Sequence, residues 1–368
     1  MPADENAQHV PLGMPAPLRS DPGDAFDVNS RRKQGVPTIE MTPGGRLWAS
    51  WRCYYPYITL ATSVDSGQTW DEPVSLIESF EPTAGGPQTG PSVHRRSRER
   101  SFRGVRVYDP LLWLDPADRL WWFWNQHTMA RKPMSAWARV TENPEAPSPE
   151  WSEPRFIAEG NAMNKPIVND DGTWLLPVAN GGKIYASEDR GETWTRRGRV
   201  EDANGPGINH LEHMVTRLDD GRLWMLSRTA SHIDFGIGQS FSADGGYTWT
   251  DGEDSRIPGP KSRFHLRRLK SGDHLLLNHH QFTGRSHLTA MISQDDGRTW
   301  PYTLLIDPRQ GVSYPDATQD RRGRIYMIHD YAREERGHIL VSVFTEDDVR
   351  SGGPESPASV LRRHVSPS

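Results

Sequence analysis

The sequence lacks several features that define large protein classes. Its 368 residues include a single cysteine, Cys53, so no disulfide can form within the chain. No apolar run reaches the roughly 18 residues of a membrane-spanning helix. The N-terminal stretch MPADENAQHVPLGMP has neither the basic nor the apolar region of a signal peptide, and we therefore expect a cytoplasmic protein. A membrane is not an expected partner.

The chain also lacks an excess of positive charge. Its formal net charge of −5 and its pI of about 6.3 leave no basic footprint, so nucleic acid is not an expected partner. A local basic cluster, HRRSRERSFRGVR, covers residues 94–106 between Gly- and Pro-rich stretches. We interpret this cluster as a solvated loop, with binding of an anionic substrate or partner as the alternative.

An octapeptide, Ser-x-Asp-x-Gly-x-Thr-Trp, occurs four times, and we name it the Asp-box. The copies begin at Ser63, Ser187, Ser242 and Ser293. Each residue type suits a turn: Asp accepts bonds from nearby N–H groups, Gly supplies a positive φ, and Trp fills the layer beneath. A motif repeated in this way indicates one structural unit used several times.

A looser pattern surrounds the Asp-boxes, in which an apolar run, a polar turn and a second apolar run follow one another. It occurs six times, at residues 37–51, 109–124, 165–178, 212–228, 263–279 and 314–330. Each copy predicts a β-hairpin, and six such units predict an all-β fold, a six-bladed β-propeller with four-stranded blades. We expect one domain over residues 1–368 with its core at about 30–349. Residues 15–34 would close the ring, and the C-terminal tail would be peripheral and loosely ordered.

The blade register predicts where ligand-binding residues meet. The first strand of a blade lies nearest the central axis, so residues before first strands and after second strands converge at one mouth of the channel. The Asp-boxes lie on the outer rim and are expected to be structural. The mouth positions are polar, and the candidates among them are Arg32, Arg52, Asp109, His127, Asn164, Lys165, Glu212, His213, Arg228, Arg263, Arg285, Tyr314 and Asp330. Such a mouth suits an anionic ligand, for example an acidic sugar, because Arg can bind a carboxylate through two hydrogen bonds.

At these residues the chain resembles the sialidase superfamily, six-bladed propellers with Asp-box (BNR) repeats. The resemblance covers nearly the whole chain and implies cleavage of a terminal sialic acid with retention of configuration. Family members use a Tyr nucleophile activated by a Glu, an Asp as acid and base, and three Arg that hold the substrate carboxylate. The resemblance assigns the Tyr and Glu roles to Tyr314 and Glu212. It assigns carboxylate binding to Arg228 and Arg285, orientation of an Arg to Asp330, and a pocket position to Asp109.

Two family features are absent from the sequence. Gly35, in Gly-Val-Pro, stands where the family has its first Arg, and Arg31 and Arg32 are out of register. The segment Trp51–Ser63, where the acid is expected, contains no carboxylate, and Arg52 is its only charged residue. A glycosidase for a different acidic or deoxy sugar therefore fits as well as a sialidase.

The leading hypothesis is an exo-acting glycoside hydrolase with a carbohydrate substrate and neither cofactor nor metal. Tyr314 would attack the anomeric carbon while Glu212 accepts its proton, and the acid would be Asp109, His127 or His213. Two alternatives stay open. One is a polysaccharide lyase that uses Tyr, His and Arg on uronic-acid glycans, and the other is a non-catalytic glycan-binding propeller. The oligomeric state does not follow from the sequence.

Overall fold

A computed structural model of the chain describes residues 14–23, 33–54, 56–128, 134–179, 181–200, 211–228, 236–281, 284–335 and 337–366. In these residues nearly all regular structure is β-strand, rich in the aromatic and β-branched residues that suit a pleated surface. Six antiparallel sheets follow one another along the chain, and within each sheet the strands lie in sequence order, except for a short N-terminal strand added to the outer edge of the first. The predicted six-bladed propeller of four-stranded blades is confirmed.

The first three blades show two departures from a plain four-stranded sheet, an added outer strand and an interrupted inner one. Blade 1 contains Gln34–Met41, Leu47–Cys53, Tyr57–Ser63 and Ser75–Glu78, with Leu18–Arg19 at its outer edge. Blade 2 contains Arg106–Leu114, Leu120–His127, Met134–Thr141 and Arg155–Glu159. Blade 3 has an inner strand in two pieces, Asn161–Ala162 and Ile167–Val168, followed by Trp174–Ala179, Lys183–Ser187 and Thr195–Arg199.

The last three blades are regular. Blade 4 contains Leu211–Arg217, Leu223–Arg228, Ile237–Ser242 and Glu253–Asp254. Blade 5 contains His265–Arg268, His274–His279, Leu288–Ser293 and Tyr302–Asp307. Blade 6 contains Val312–Gln319, Ile325–Tyr331, His338–Phe344 and Val360–Ser366, with a helix, Glu346–Ser351, before its last strand. A hairpin of Glu81–Thr83 and Gly86–Gln88 and a helix, Pro91–Ser97, join blades 1 and 2.

The expected ring closure is wrong. The strand Leu18–Arg19 pairs with the outer strand of blade 1 and contributes nothing to blade 6. The fourth strand of blade 6 is Val360–Ser366, from the tail that we expected to be peripheral. The closing strand was hidden in the sequence because its residues, VLRRHVS, carry a mixed pattern and follow a Gly/Pro-rich stretch.

The cores lie between neighbouring sheets, so each blade is stabilised by the next. The cluster between blades 6 and 1, for example, joins Tyr326 and Val341 to Leu47, Trp51 and Tyr57, all of which are fully or almost fully buried. Burial of large aromatic side chains of this kind supplies most of the favourable free energy of such an interface. Blades 1 and 6 therefore meet through side chains and not through a shared sheet.

The Asp-boxes lie between the third and fourth strands of blades 1, 3, 4 and 5, on the rim as predicted. In blade 3, Ser187 Oγ donates to Asp189 Oδ1 (2.8 Å), and Thr193 donates to the same carboxylate from its N (2.9 Å) and its Oγ (2.5 Å). Equivalent bonds recur in the other three boxes. The box glycine Gly191 has a φ of 89° and lies against the ring of Trp121 in blade 2.

The interpretation of residues 94–106 as a solvated loop is wrong in part. Pro91–Ser97 is a helix, and His94 is buried with its Nε2 2.9 Å from Glu78 Oε1. Arg106 is also buried and donates from Nε to the Ser97 carbonyl (2.8 Å). Exposed positions in this segment include Arg95, Arg98, Arg100 and Arg103.

Candidate active site

The inner strands of four blades carry a β-bulge near their N-terminal ends, at one mouth of the channel. In each, the register with the second strand shifts and one residue adopts a left-handed conformation. These residues are Val36 (φ 55°), Asp109 (46°), Glu212 (46°) and Tyr314 (54°). A bulge re-aims side chains, and left-handed non-glycine residues are uncommon and concentrate at functional sites. Three of the four are candidates from the sequence.

Each bulge is held by a buried polar side chain from another part of the chain. The bonds are Val36 N to Asp330 Oδ2 (2.8 Å), Asn125 Nδ2 to Asp109 O (2.8 Å), Asn164 Nδ2 to Glu212 O (2.8 Å) and Arg263 Nη2 to Pro315 O (3.1 Å). A buried main-chain N–H or C=O group without a partner costs free energy. These side chains therefore stabilise the bulges by bonding main-chain groups that the neighbouring strand does not bond.

Tyr314, Glu212 and Arg228 form a closed hydrogen-bonded group. Tyr314 Oη donates to Glu212 Oε1 at 2.7 Å, and Arg228 Nη1 lies 2.7 Å from Glu212 Oε2 and 3.1 Å from Tyr314 Oη. Burial and then the Glu212 carboxylate raise the pKa of Tyr314, while Arg228 and Arg333 act in the opposite direction. The phenol is therefore protonated at neutral pH and already bonded to a base.

Guanidinium groups surround the ring of Tyr314. The guanidinium carbon lies 4.1 Å from the ring centroid for Arg333 and 5.4 Å for both Arg263 and Arg285, within the range of cation–π attraction. Arg285 donates to the Lys261 carbonyl (3.1 Å) and is only partly buried. The ring itself packs against Val36 and Met163 of the channel wall, which fixes its orientation.

Asp109 is the second carboxylate of the mouth. Arg52 Nη1 of blade 1 lies 3.0 Å from Asp109 Oδ1 of blade 2. Arg52 belongs to the segment Trp51–Ser63, which contains no carboxylate of its own. The Asp109 charge is near enough to Tyr314 to raise the pKa of its phenol. His127 lies nearby and packs edge-on against Tyr108, with ring centroids 4.7 Å apart.

Four candidates from the sequence lie beneath the mouth instead of lining it. Asp330 and Arg263 are 0% and 1% exposed, and Asn164 is also buried. Arg263 donates to the carbonyls of Met163, Pro37 and Pro315. Lys165 Nζ bonds Ile39 O, Leu112 O and Glu40 Oε2, further along the channel. The expectation that these side chains face a ligand is corrected, because each is used to support the backbone.

His213 does not join the site. Its Nε2 lies 2.9 Å from the Lys183 carbonyl of blade 3, so the ring is directed at the neighbouring blade. Arg32 lies outside the described residues. Of the thirteen candidates, the structure brings together Tyr314, Glu212, Arg228, Arg285, Asp109 and Arg52. His127 packs on Tyr108, the residue before Asp109.

A family model for a BNR repeat-like domain matches residues 95–327 of the chain, which is more than half of its length. The chain belongs to the BNR repeat-like family. The sialidase of Micromonospora viridifaciens is 26% identical over 332 residues, which cover 80% of this chain and 49% of the relative. The sialidase of Bacteroides fragilis (strain YCH46) is 27% identical over 292 residues, 70% of this chain and 51% of the relative. This BNR propeller spans about half the length of the curated relatives that it matches.

Solved structures share the fold. A Hadza microbial sialidase aligns with a TM-score of 0.66 at 18% identity, over 87% of this chain and 67% of that one. A protein of unknown function from Dyadobacter fermentans aligns with a TM-score of 0.65 at 18% identity, over 86% of this chain and 95% of that one. These similarities confirm a sialidase-like six-bladed architecture and, at this identity, nothing finer.

Among its described residues, this BNR propeller has no cluster of three or more His, Cys, Asp or Glu that could hold a metal ion. No helix in that part of the chain combines the length and the apolar character needed to cross a membrane.

Sequence reasoning missed Arg333, which is 9% exposed and lies over Tyr314. The available signal was the spacing from Asp330, three residues earlier, at the end of the second strand of blade 6. Arg333 lies two residues beyond the end of that strand. Asn125, which holds the Asp109 bulge, was also not among the candidates from the sequence.

Proposed function

We propose that this BNR propeller is an exo-acting glycosidase that removes a terminal acidic sugar from a glycan or oligosaccharide with retention of configuration. The observation that carries the proposal is the Tyr314–Glu212 hydrogen bond of 2.7 Å, with Arg228 bonded to Tyr314 Oη and to the other carboxylate oxygen, Glu212 Oε2. A phenol with a buried carboxylate base and a ring of guanidinium groups suits attack on a sugar that carries its own negative charge. The sialidases among its relatives support this substrate class.

Tyr314 acts as the nucleophile in this proposal. A phenol has a pKa of about 10 and is weak alone, so it needs an adjacent base. Glu212 Oε1 takes the phenolic proton as Oη bonds to the anomeric carbon and the bond to the leaving oxygen breaks. A neutral phenol also avoids the repulsion that a carboxylate nucleophile would meet from an anionic substrate. Tyr nucleophiles are a known exception to the two-carboxylate scheme of glycoside hydrolysis.

Arg228 and Arg285 bind the carboxylate of the sugar. Both guanidinium groups approach Tyr314 Oη or its ring, so a carboxylate bound between them lies beside the attacking oxygen. Arg228 has the further effect of stabilising the negative charge that moves between Tyr314 and Glu212 during the reaction.

Asp109 transfers the proton at the leaving group. It is the one carboxyl group among the three proposed acids, and its charge acts on Tyr314, whereas the His213 ring is bonded to the Lys183 carbonyl. Asp109 enters the first step as the protonated acid, gives its proton to the departing oxygen and becomes the carboxylate that pairs with Arg52. In the second step it accepts a proton from the water that attacks the anomeric carbon, and Tyr314 recovers its proton from Glu212 as the Tyr–sugar bond breaks.

The test is product analysis with a panel of sialosides, uronides and acidic oligosaccharides. A free acidic sugar released with the anomeric configuration of the substrate, seen by proton NMR at early times, supports the proposal. Tyr314→Phe is expected to abolish this release. An unsaturated uronate product would indicate a lyase instead, and binding without a product would indicate a glycan-binding propeller.

A further inference from the structure

We infer that Arg333 is a substrate-binding cation of this site, reaching it from blade 6 through space that Gly35 leaves open in blade 1. The inference rests on the proposed function and extends it, because it names the group that completes recognition of the carboxylate. It also accounts for the glycine at position 35 of blade 1.

Arg333 is held rigidly from one side. Its Nε and Nη2 donate to Asp330 Oδ2 at 3.0 and 2.7 Å, and Nη2 also donates to Ser313 Oγ at 2.8 Å. Asp330 is itself fixed by the Val36 N–H and by Ser313 Oγ. The third nitrogen, Nη1, has no hydrogen-bond partner among the described residues. It is not one of the fully buried polar atoms, so a ligand can reach it. A donor is therefore left for a ligand.

The position of Arg333 depends on the absence of a side chain at residue 35. A Cβ atom on Gly35 would lie 2.5 Å from Arg333 Nε and 2.6 Å from its Cδ and Cγ. Contacts this short are not tolerated in a packed interior. Gly35 is not needed for its backbone conformation, since no positive φ is found there. The two residues are thus coupled: a side chain at position 35 and the observed place of Arg333 exclude one another.

The charge around Tyr314 favours an anion. Arg52, Arg228 and Arg333 are each paired with one carboxylate, of Asp109, Glu212 and Asp330 respectively. Arg263 and Arg285 have hydrogen bonds to backbone carbonyls. Positive charge therefore exceeds negative charge among these groups, in a partly desolvated place where a ligand carboxylate is bound more strongly than in water.

The decisive measurement compares an acid with its neutral ester. Isothermal titration calorimetry on the full chain would use N-acetylneuraminic acid and glucuronic acid, each beside its methyl ester. Wild type is expected to prefer one of the acids. Gly35→Ala keeps the arginine at position 333 but forces its side chain out of the observed place. Because removing Arg333 alone would leave Asp330 buried without its cation, the second variant is Arg333→Gln with Asp330→Asn. Both are expected to weaken acid binding about 10- to 100-fold, as for the loss of a charged hydrogen bond, and to leave ester binding unchanged.

Arg324→Gln is the matched control. Arg324 also bonds an aspartate (Asp320 Oδ2, 2.7 Å) and lies over a tyrosine ring (Tyr326, 5.6 Å), but it belongs to the turn at the opposite end of blade 6. It is expected to keep the full preference for the acid. If both site variants fold and retain that preference, the inference is overturned and the proposed function stands. If wild type itself does not distinguish acid from ester, carboxylate recognition fails, and both proposals fall.

Discussion

The rim and the mouth of this propeller solve the same local problem in different ways. Both place residues at positive φ, where the chain needs a special partner. On the rim they are the glycine of each Asp-box and the residue before it (Ser66, Arg190, Gly245 and Asp296), and the Ser, Asp and Thr partners lie within the same octapeptide. At the mouth they are Val36, Asp109, Glu212 and Tyr314, and the partner of Val36 is Asp330, 294 residues away. Hydrogen-bond partners that are close in sequence leave a recognisable motif, whereas partners that are distant in sequence leave none.

The rim turns serve the stability of the blades, whereas the bulges of the mouth serve to present side chains. An Asp-box can be repeated because it is self-contained, and the rim needs only identical turns. A bulge that displays Glu212 or Tyr314 requires supports that differ from blade to blade, because each displayed side chain has a different task. Both regions contain left-handed non-glycine residues, since Ser66, Arg190 and Asp296 of the Asp-boxes also have positive φ. What distinguishes the mouth is that its buried polar bonds join distant parts of the chain.

The largest expected effect contrasts Glu212 with a rim carboxylate. Glu212→Gln removes the base bonded to Tyr314 and is expected to lower kcat about 10²- to 10⁴-fold, the usual contribution of a positioned base. Asp189→Asn, in the Asp-box of blade 3, is expected to leave kcat unchanged. Initial rates on the substrate found by product analysis check both. Equal losses of kcat in the two variants would remove the distinction between the regions.

The second prediction concerns Asp109. Asp109→Asn is expected to slow cleavage of a natural glycosidic linkage about 10²-fold or more, because the departing oxygen then lacks a proton donor. An aryl glycoside, whose leaving group needs no proton, should be affected far less. Rates on the two substrate types measure the difference. If His127→Gln shows this dependence on the leaving group and Asp109→Asn does not, the proton donor is His127.

In the acid range, the two regions should lose stability at different pH. Burial lowers the pKa of His279, behind the mouth, to about 4, below the roughly 6.5 of an unfolded histidine. The unfolded chain then binds the proton more readily, so the stability is complete above pH 6.5 and falls between about pH 6.5 and 4, by about 3 kcal/mol at about 1.4 kcal/mol per pKa unit. Hydrogen bonds from Thr193 and Ser187 outweigh partial burial and lower the pKa of Asp189 on the rim, so its contribution is lost only below the usual aspartate range.

Urea unfolding from pH 8 to pH 2 separates the two contributions. His279→Asn should flatten the fall between pH 6.5 and 4. Asp189→Asn should lower the free energy of unfolding at neutral pH and flatten its fall only below the usual aspartate range. A fall above pH 4 that persists unchanged in His279→Asn would assign it to other buried histidines such as His265 and His274, whose pKa values burial also lowers.

The smallest effect distinguishes two Asp-boxes. A Cβ on Gly191 collides with the Trp121 ring, whereas one on Gly67 is 3.4 Å from the Leu47 side chain. Both glycines have positive φ, so that cost is shared. Gly191→Ala is therefore expected to lower the free energy of unfolding by about 1–3 kcal/mol more than Gly67→Ala, the range for overpacking. Matched denaturant curves check this, and equal losses would show that the Trp121 ring moves aside.

The sequence predicted the repeated parts of the molecule and missed the unique ones. Six hairpins and four Asp-boxes give the blade count and the place of the rim because they recur. Tyr314, Glu212 and Arg228 could be grouped because each begins or ends a strand whose blade position was known. The closing strand Val360–Ser366 and Arg333 could not, since each occurs once and depends on a neighbour distant in sequence. Burial explains why Arg263 and Lys165 were misplaced: charge alone does not reveal that carbonyl groups hold both side chains.

The ring closes at the junction between blades 6 and 1, which lies beside Arg333 and Tyr314. No strand among the described residues is exchanged there, and the links that cross it include the Val36–Asp330 bond, the Gln34 bond to Gly337 O and the close packing of Arg333 on Gly35. A ligand that bonds Arg333 beside Tyr314 fastens the side of blade 6 that faces this junction. Ligand binding would therefore hold blades 6 and 1 together. The free energy needed to open the ring at this junction should then rise as the site becomes occupied.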